Sequence, residues 1–416
     1  MSMKVSKSNA DISEPFSEKR KLARLLMLGV FFACSFRDLR FISFLSPQDV
    51  LLFAALLSLY FGSLESYKRK KLILSQIVSF FLLLIFSFES QLSSANPRES
   101  ITNYLKIYVA FVLLPSAIWI FVNKMEDVTL LFWGYLSGAL LSSISTIFLH
   151  LGGPSGSRSS GLSGHPVFFG SLTASAIVVT LSINHRTIRT KVFSLILVIF
   201  FALGLFLSAS STGLIIILIG LIVIVLMNLF DQKLLRTILS LITFYFIGFF
   251  IWNANFFSNT KTRFLLSLNP QTGYSTNRIS GTSTFEARLY SIKYAWKRIQ
   301  DSPVIGHGLD TQGRITSIGL EPHNFIILSW QTGGVLLLAL SMFFLYVSVR
   351  YFVLAINLKF RLGIVVILIT WLQLMTQPII YERSVLAPLF LVIAALNTEK
   401  LNKKNLKAFP KPAPPP

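Results

Sequence analysis

Cysteine is nearly absent. Cys34 is the only thiol in 416 residues, so neither an intramolecular disulfide nor a cysteine-based metal site can form. Charge is scarce as well, at 13% of residues, and acids are scarcer still: 17 Asp and Glu against 38 Lys and Arg. That is far below the usage of soluble domains and excludes an ordinary water-soluble fold. The five histidines show no His-x-x-x-His spacing and no loop carries an Asp-x-Asp pair, so the sequence points to no metal and no cofactor. The net charge of +21 raises the question of nucleic acid. The basic residues, however, sit in short clusters between apolar runs, which is the pattern of membrane anchoring; no nucleic-acid partner is expected.

What is abundant is apolar: 53% of residues are hydrophobic, 38 of them phenylalanine. The expected fold is an all-α polytopic membrane protein. Apolar runs fall at 22–36, 48–64, 72–88, 103–122, 128–149, 166–183, 191–209, 213–229, 235–252, 323–349, 362–378 and 383–397, which gives about 12 transmembrane helices. The first run lacks a small-residue cleavage pattern and reads as a retained anchor. Lys19 to Lys21, Lys68 to Lys71, Lys124, Arg186 with Arg189, Lys233 with Arg236, and Arg350 with Lys359 alternate onto one side of this topology, as does the lysine-rich tail. The excess of positive charge on that side places both termini in the cytoplasm. The chain then divides into a cytoplasmic tail (1–21), helices 1–9 (22–252), a periplasmic loop domain (253–322), helices 10–12 (323–397) and a disordered proline-rich tail (398–416).

The long loop is the one extended polar segment. Within it, Ser283 and Glu286 form a capping-box pair, and Phe285, Leu289, Ile292, Trp296 and Ile299 recur at helical spacing, predicting an amphipathic helix on the membrane surface or over the bundle. The chemistry-bearing residues gather on the loop's side of the membrane: Arg158, His165, the hydroxyl cluster Ser210-Ser211-Thr212, Arg263, Arg278, Arg288, His323 with Asn324, and Glu382 with Arg383. Arginines, hydroxyls and glycine-rich backbone at that depth suit an anion, and a lipid-linked diphosphate has its head group there. Taken singly, Arg158, Arg263, Arg278 and Arg383 read more simply as loop or head-group contacts. Arg288 borders the buried face of the predicted helix. His323, at the start of an apolar run, has the near-neutral pKa of a base for an acceptor hydroxyl.

These motifs resemble the O-antigen ligase and polymerase superfamily of bacterial surface-polysaccharide assembly. The resemblance rests on Arg158-x-x-Gly161 with Gly164-His165-Pro166, on Glu286-Ala-Arg288 leading into Ser302-Pro303-x-x-Gly306-x-Gly308, and above all on His323-Asn324, nine residues, then Gly334. It covers about 158–383 by motif and the earlier part by topology. It implies a metal-independent membrane glycosyltransferase of the GT-C type, moving a glycan from undecaprenyl diphosphate to lipid A-core or to a second lipid-linked glycan at the periplasmic face of the inner membrane. His323 and Arg288 would be the catalytic pair, the others substrate contacts. Leu337 departs from the ligase pattern, and the hydroxyl-rich Ser208 to Gly213 segment, where ligases carry arginine, looks more like polymerases. A transporter or flippase of lipid-linked oligosaccharide is the alternative of another class. It would place ionisable groups or broken helices at mid-membrane, and the runs are nearly free of charge.

Overall fold

The computed structural model describes residues 14–36, 46–62, 74–85, 92–152, 159–183, 187–230, 284–316, 320–377 and 382–408. Among these, all regular structure is helical. In chain order the helices are α1 (Glu14–Ala33), α2 (Pro47–Gly62), α3 (Leu74–Ile85), α4 (Pro97–Phe121), α5 (Met125–Gly152), α6 (Pro166–Ser182), α7 (Ile188–Ser208), α8 (Ser211–Phe230), α9 (Thr284–Asp301), α10 (Thr311–Arg314), α11 (Phe325–Asn357), α12 (Arg361–Thr376) and α13 (Arg383–Ala408). Every apolar run coincides with a helix except 235–252, which lies outside the described residues. By length and composition four of them, α4, α5, α7 and α11, are long and apolar enough to cross a membrane, and α2, α3, α6, α8 and α12 are shorter apolar helices. α13 continues to Ala408, past the point at which a disordered tail was expected, because 398–408 keeps helix-forming Lys, Leu and Asn without a proline until Pro410.

α6 is the hub. Every residue from Phe168 to Thr180 is buried, and α5, α7, α8, α12 and α13 pack around it. A helix apolar on all sides belongs at the centre of a bundle. By contrast α7, α8 and α11 turn Phe193, Ile196, Leu218, Leu226, Phe343 and Tyr346 outward, the faces that meet lipid. Many buried hydroxyls within the helices bond back to the preceding turn, as Thr173 does to the Phe169 carbonyl at 3.0 Å. On α5, Gly134 and Gly138 lie one turn apart, and a Cβ at Gly138 would stand 2.1 Å from the Phe32 carbonyl oxygen. The pair lets α1 and α5 approach to backbone contact. Pro115 in α4 follows a π-turn at Val109–Leu113, which absorbs the missing backbone donor.

α11 is broken. Gly333 (φ −121°, ψ 19°) and Gly334 (φ 60°, ψ −157°) leave the helix, and the segment after α9 docks into the gap. His307 and Gly308 donate backbone N–H bonds to the carbonyls of Gln331 and Thr332, each at 2.9 Å, and Val335 donates to the Val304 carbonyl at 3.1 Å. These bonds satisfy the groups that the break exposes, which is what permits irregular backbone near a membrane. A Cβ at Gly334 would sit 1.8 Å from the Val304 oxygen, so the docking requires glycine there.

Candidate active site

Four segments meet at the end of the bundle where α11 begins. The first is the turn between α7 and α8. Ala209 adopts a left-handed conformation (φ 47°), Ser208 Oγ accepts from the Ser210 N–H, and Ser210 Oγ accepts from the Gly213 N–H at 3.2 Å. The hydroxyl cluster is thus a tight reversal that starts α8, with Ser211 opening the helix and Thr212 buried one residue in. The second is the start of α6. His165 is its N-cap, its Nδ1 accepting from the Val167 N–H at 3.3 Å. A Cβ on Gly170 would touch Ser210, so α6 and α8 lie against each other here.

The third segment is α9. The sequence expectation placed Leu289, Ile292, Trp296 and Ile299 on its buried face. The structure buries Ile299 as expected, but with it Ser291 and Ala295, and leaves Leu289 and Trp296 exposed. Small Ser291 and Ala295 let α9 lie close against α11, and the helix rotates to present them. This rotation brings Arg288 inward: its Nη2 donates to Thr212 Oγ1 at 3.1 Å. Its buried Nε has no partner among the described residues. Burial pushes the guanidinium pKa down. The Ser283 and Glu286 capping pair lies outside the described residues and side chains.

The fourth segment is the start of α11. Asn324 is the N-cap, its Oδ1 accepting from the backbone of Ile326 and Ile327 at 3.0 and 3.1 Å. His323, one residue earlier, has Nδ1 3.0 Å from the Glu321 carbonyl oxygen. A carbonyl only accepts, so Nδ1 carries the proton and Nε2 keeps the lone pair. Its pKa is not near neutral, as the sequence led one to expect, but lowered to about 4, first by burial and then by the charge of Arg288, with His165 adding to the effect. His323 is therefore neutral at pH 7, and Arg288, His165 and His323 are electrostatic neighbours.

α6, α8 and α11 all begin at this cluster. The N-terminus of a helix carries partial positive charge and free N–H groups, and three of them beside a buried arginine favour an anion. Glu382 and Arg383 belong to a different cluster at the start of α13: Arg383 bonds the Ser46 hydroxyl at 3.1 Å and ion-pairs with buried Asp49, whose carboxylate also accepts from the Ser46 N–H just ahead of α2. Arg158, Arg263 and Arg278 lie outside the described residues.

Sequence reasoning did not find the residues that hold the docked segment. Gln331 donates from Nε2 to the carbonyls of Gly313, Arg314 and Ile315, and Arg298 donates from Nη1 to the Gln312 carbonyl at 2.9 Å. Asp310 caps α10 and accepts from the Asn96 N–H at 2.7 Å, tying the segment to the start of α4. Asp310 ahead of Thr311-Gln-Gly-Arg314 is an N-cap signal that was open to recognition. A polar Gln331 inside an apolar run was the other.

No curated protein matches the chain. Residues 195–342 match the O-antigen ligase family model, a stretch that runs from α7 through the break in α11 and holds Thr212, Arg288 and His323, and the match over this part of the chain supports the resemblance to the O-antigen ligase and polymerase superfamily.

Proposed function

We propose that the protein is an inverting glycosyltransferase of the bacterial inner membrane that moves a glycan from undecaprenyl diphosphate to an acceptor at the periplasmic face, as an O-antigen ligase or polymerase. The observation that carries this reading is Arg288: a buried cation that, among the described residues, bonds one neutral hydroxyl and has an unpartnered Nε, facing three helix N-termini. A diphosphate supplies the missing acceptors. The family match supports the reaction class. The topology that suits it has about twelve spans, both termini in the cytoplasm, and the 253–322 loop in the periplasm.

The acceptor hydroxyl donates its hydrogen bond to Nε2 of His323. Its oxygen attacks the anomeric carbon from the face opposite the diphosphate while the proton passes to Nε2. The bond from the anomeric carbon to the phosphate oxygen breaks, its electron pair leaves with the diphosphate, and Arg288 with the start of α8 stabilises that charge. A base whose pKa is near 4 is weak, but an anion on Arg288 offsets the charge that depresses it. Donor binding thus strengthens the base. His165, Ser210, Ser211 and Asn324 shape the pocket. Arg158, Arg263 and Arg278 serve as further diphosphate contacts.

Replacement of His323 or Arg288 by alanine is expected to abolish glycan transfer in a membrane preparation while membrane insertion stays normal; full transfer by His323→Ala overturns the mechanism. The lipopolysaccharide ladder of a deletion strain separates the two activities, since a ligase defect removes all attached O-antigen and a polymerase defect leaves a single unit.

A further inference from the structure

The rotation of α9 that buries Arg288 leaves large apolar and basic side chains facing out. Leu289 is 51% exposed, Trp296 48%, and Val304 and Ile305 just beyond the helix 57% and 42%. Lys293 and Lys297 are exposed on the same face, spaced one turn apart. Among the described residues, neither lysine pairs with an acid. Trp296 packs edge-on against Trp330 at 5.4 Å between ring centroids, and Trp330 Nε1 donates to the Pro303 carbonyl at 3.0 Å.

The position of this face decides what covers it. α11 carries one charged residue in its apolar length, Arg350. From Val335, where the helix resumes after the break, to Arg350 the rise is roughly 22 Å at about 1.5 Å per residue, most of the thickness of a hydrocarbon core. With Arg350 at one boundary, the break and Trp330 just before it stand near the other, and Trp296, Val304 and Ile305, which contact Trp330 or the residues at the break, stand with them. The face is continuous with the outward stripe of α11 through Val335, Met342 and Phe343. Tryptophans beside lysines at that depth match the head-group layer, where the rings sit among carbonyls and the ammonium groups reach phosphate.

We infer that the Leu289–Lys293–Trp296–Lys297 face of α9, with Val304 and Ile305, is a binding surface for anionic phospholipids of the adjoining leaflet. The apolar side chains enter the upper acyl region and the two lysines take the head-group phosphates. Because Arg288 is on the same helix, lipid binding holds the helix in the position from which Arg288 reaches Thr212. The surface itself does not depend on which reaction the site performs.

The test uses the full-length protein in phosphatidylcholine nanodiscs doped with a brominated lipid at equal bromine content, either phosphatidylglycerol or phosphatidylcholine. The quenching that Trp296→Phe removes is the share of Trp296. Bromo-phosphatidylglycerol is expected to quench that share more strongly, and Lys293→Gln with Lys297→Gln to abolish the preference, at roughly fivefold in local lipid affinity per lysine. Equal quenching by the two lipids in the unmodified protein overturns the inference, as does aqueous iodide reaching Trp296 while neither lipid does. No glycan enters the measurement, so failure of the proposed transfer reaction leaves its outcome unaffected.

Discussion

Arg288 on α9 donates from Nη2 to the Thr212 hydroxyl on α8 at 3.1 Å, joining two residues 76 positions apart in the chain. Among the described residues it is the one hydrogen bond of that guanidinium, and it couples the loop helix to the reversal beneath it.

Thr212→Val keeps the shape of that contact and removes the acceptor. Hydrogen bonds to charged groups contribute about 1.5–3 kcal/mol, so kcat/KM for the lipid-linked donor is expected to fall by about tenfold or more. An unchanged value in a reconstituted transfer assay would show that Arg288 does not depend on Thr212 for its placement.

The depressed pKa of His323 makes two pH predictions. The kcat/KM profile of the free enzyme should stay level through pH 6.5 and fall only toward pH 4, and in Arg288→Gln the His323 imidazole, followed by NMR rather than by turnover, should titrate higher, since one of the depressing charges is removed. For stability the sign follows from the same shift. The unfolded chain binds a proton at His323 near pH 6.5 and the folded one only near 4, so the contribution is complete above 6.5 and is lost as pH drops from 6.5 to 4. Thermal unfolding of His323→Gln in detergent, compared with the unmodified protein at pH 7 and pH 5, should show a smaller loss on acidification.

Gly334→Ala introduces both a strained φ and a clash with the Val304 carbonyl. Strain of this kind costs about 1–3 kcal/mol before the clash is counted. Amide exchange at His307 and Gly308, whose N–H groups bond the carbonyls beside the break, is expected to accelerate well ahead of exchange in α6. Equal protection in both proteins would mean that the docked segment is held by other contacts.

Arg383→Met strands Asp49, which is 3% exposed. Removing one partner of a buried pair costs about 3–5 kcal/mol. A large drop in melting temperature is expected, with recovery in the double variant Arg383→Met, Asp49→Leu; a drop without recovery would point to a role for Arg383 beyond its pairing with Asp49.

Helix placement was legible because apolar periodicity and length are local properties, and the position of His323 and Asn324 was legible because a polar pair at the edge of an apolar run marks a helix start. The convergence of Thr212, Arg288 and His323 was legible only as a shared side of the membrane. Two things were not legible. The buried face of α9 was assigned by hydrophobicity, whereas close packing against α11 selected small Ser291 and Ala295 over Trp296. Arg383 was grouped with the candidate site residues by its side of the membrane; its partner, Asp49, lies at the other end of the chain. Tertiary pairing of that range leaves no trace in a single sequence.

The shortness of α6 has a consequence for how a substrate reaches this cluster. Its 17 residues rise about 25 Å, less than a hydrocarbon core of about 30 Å, so with its far end at one boundary, His165 lies beneath the opposite surface rather than above it. A polyprenyl-anchored molecule could then present its phosphates by sliding sideways within its own leaflet, without lifting any of its tail into water.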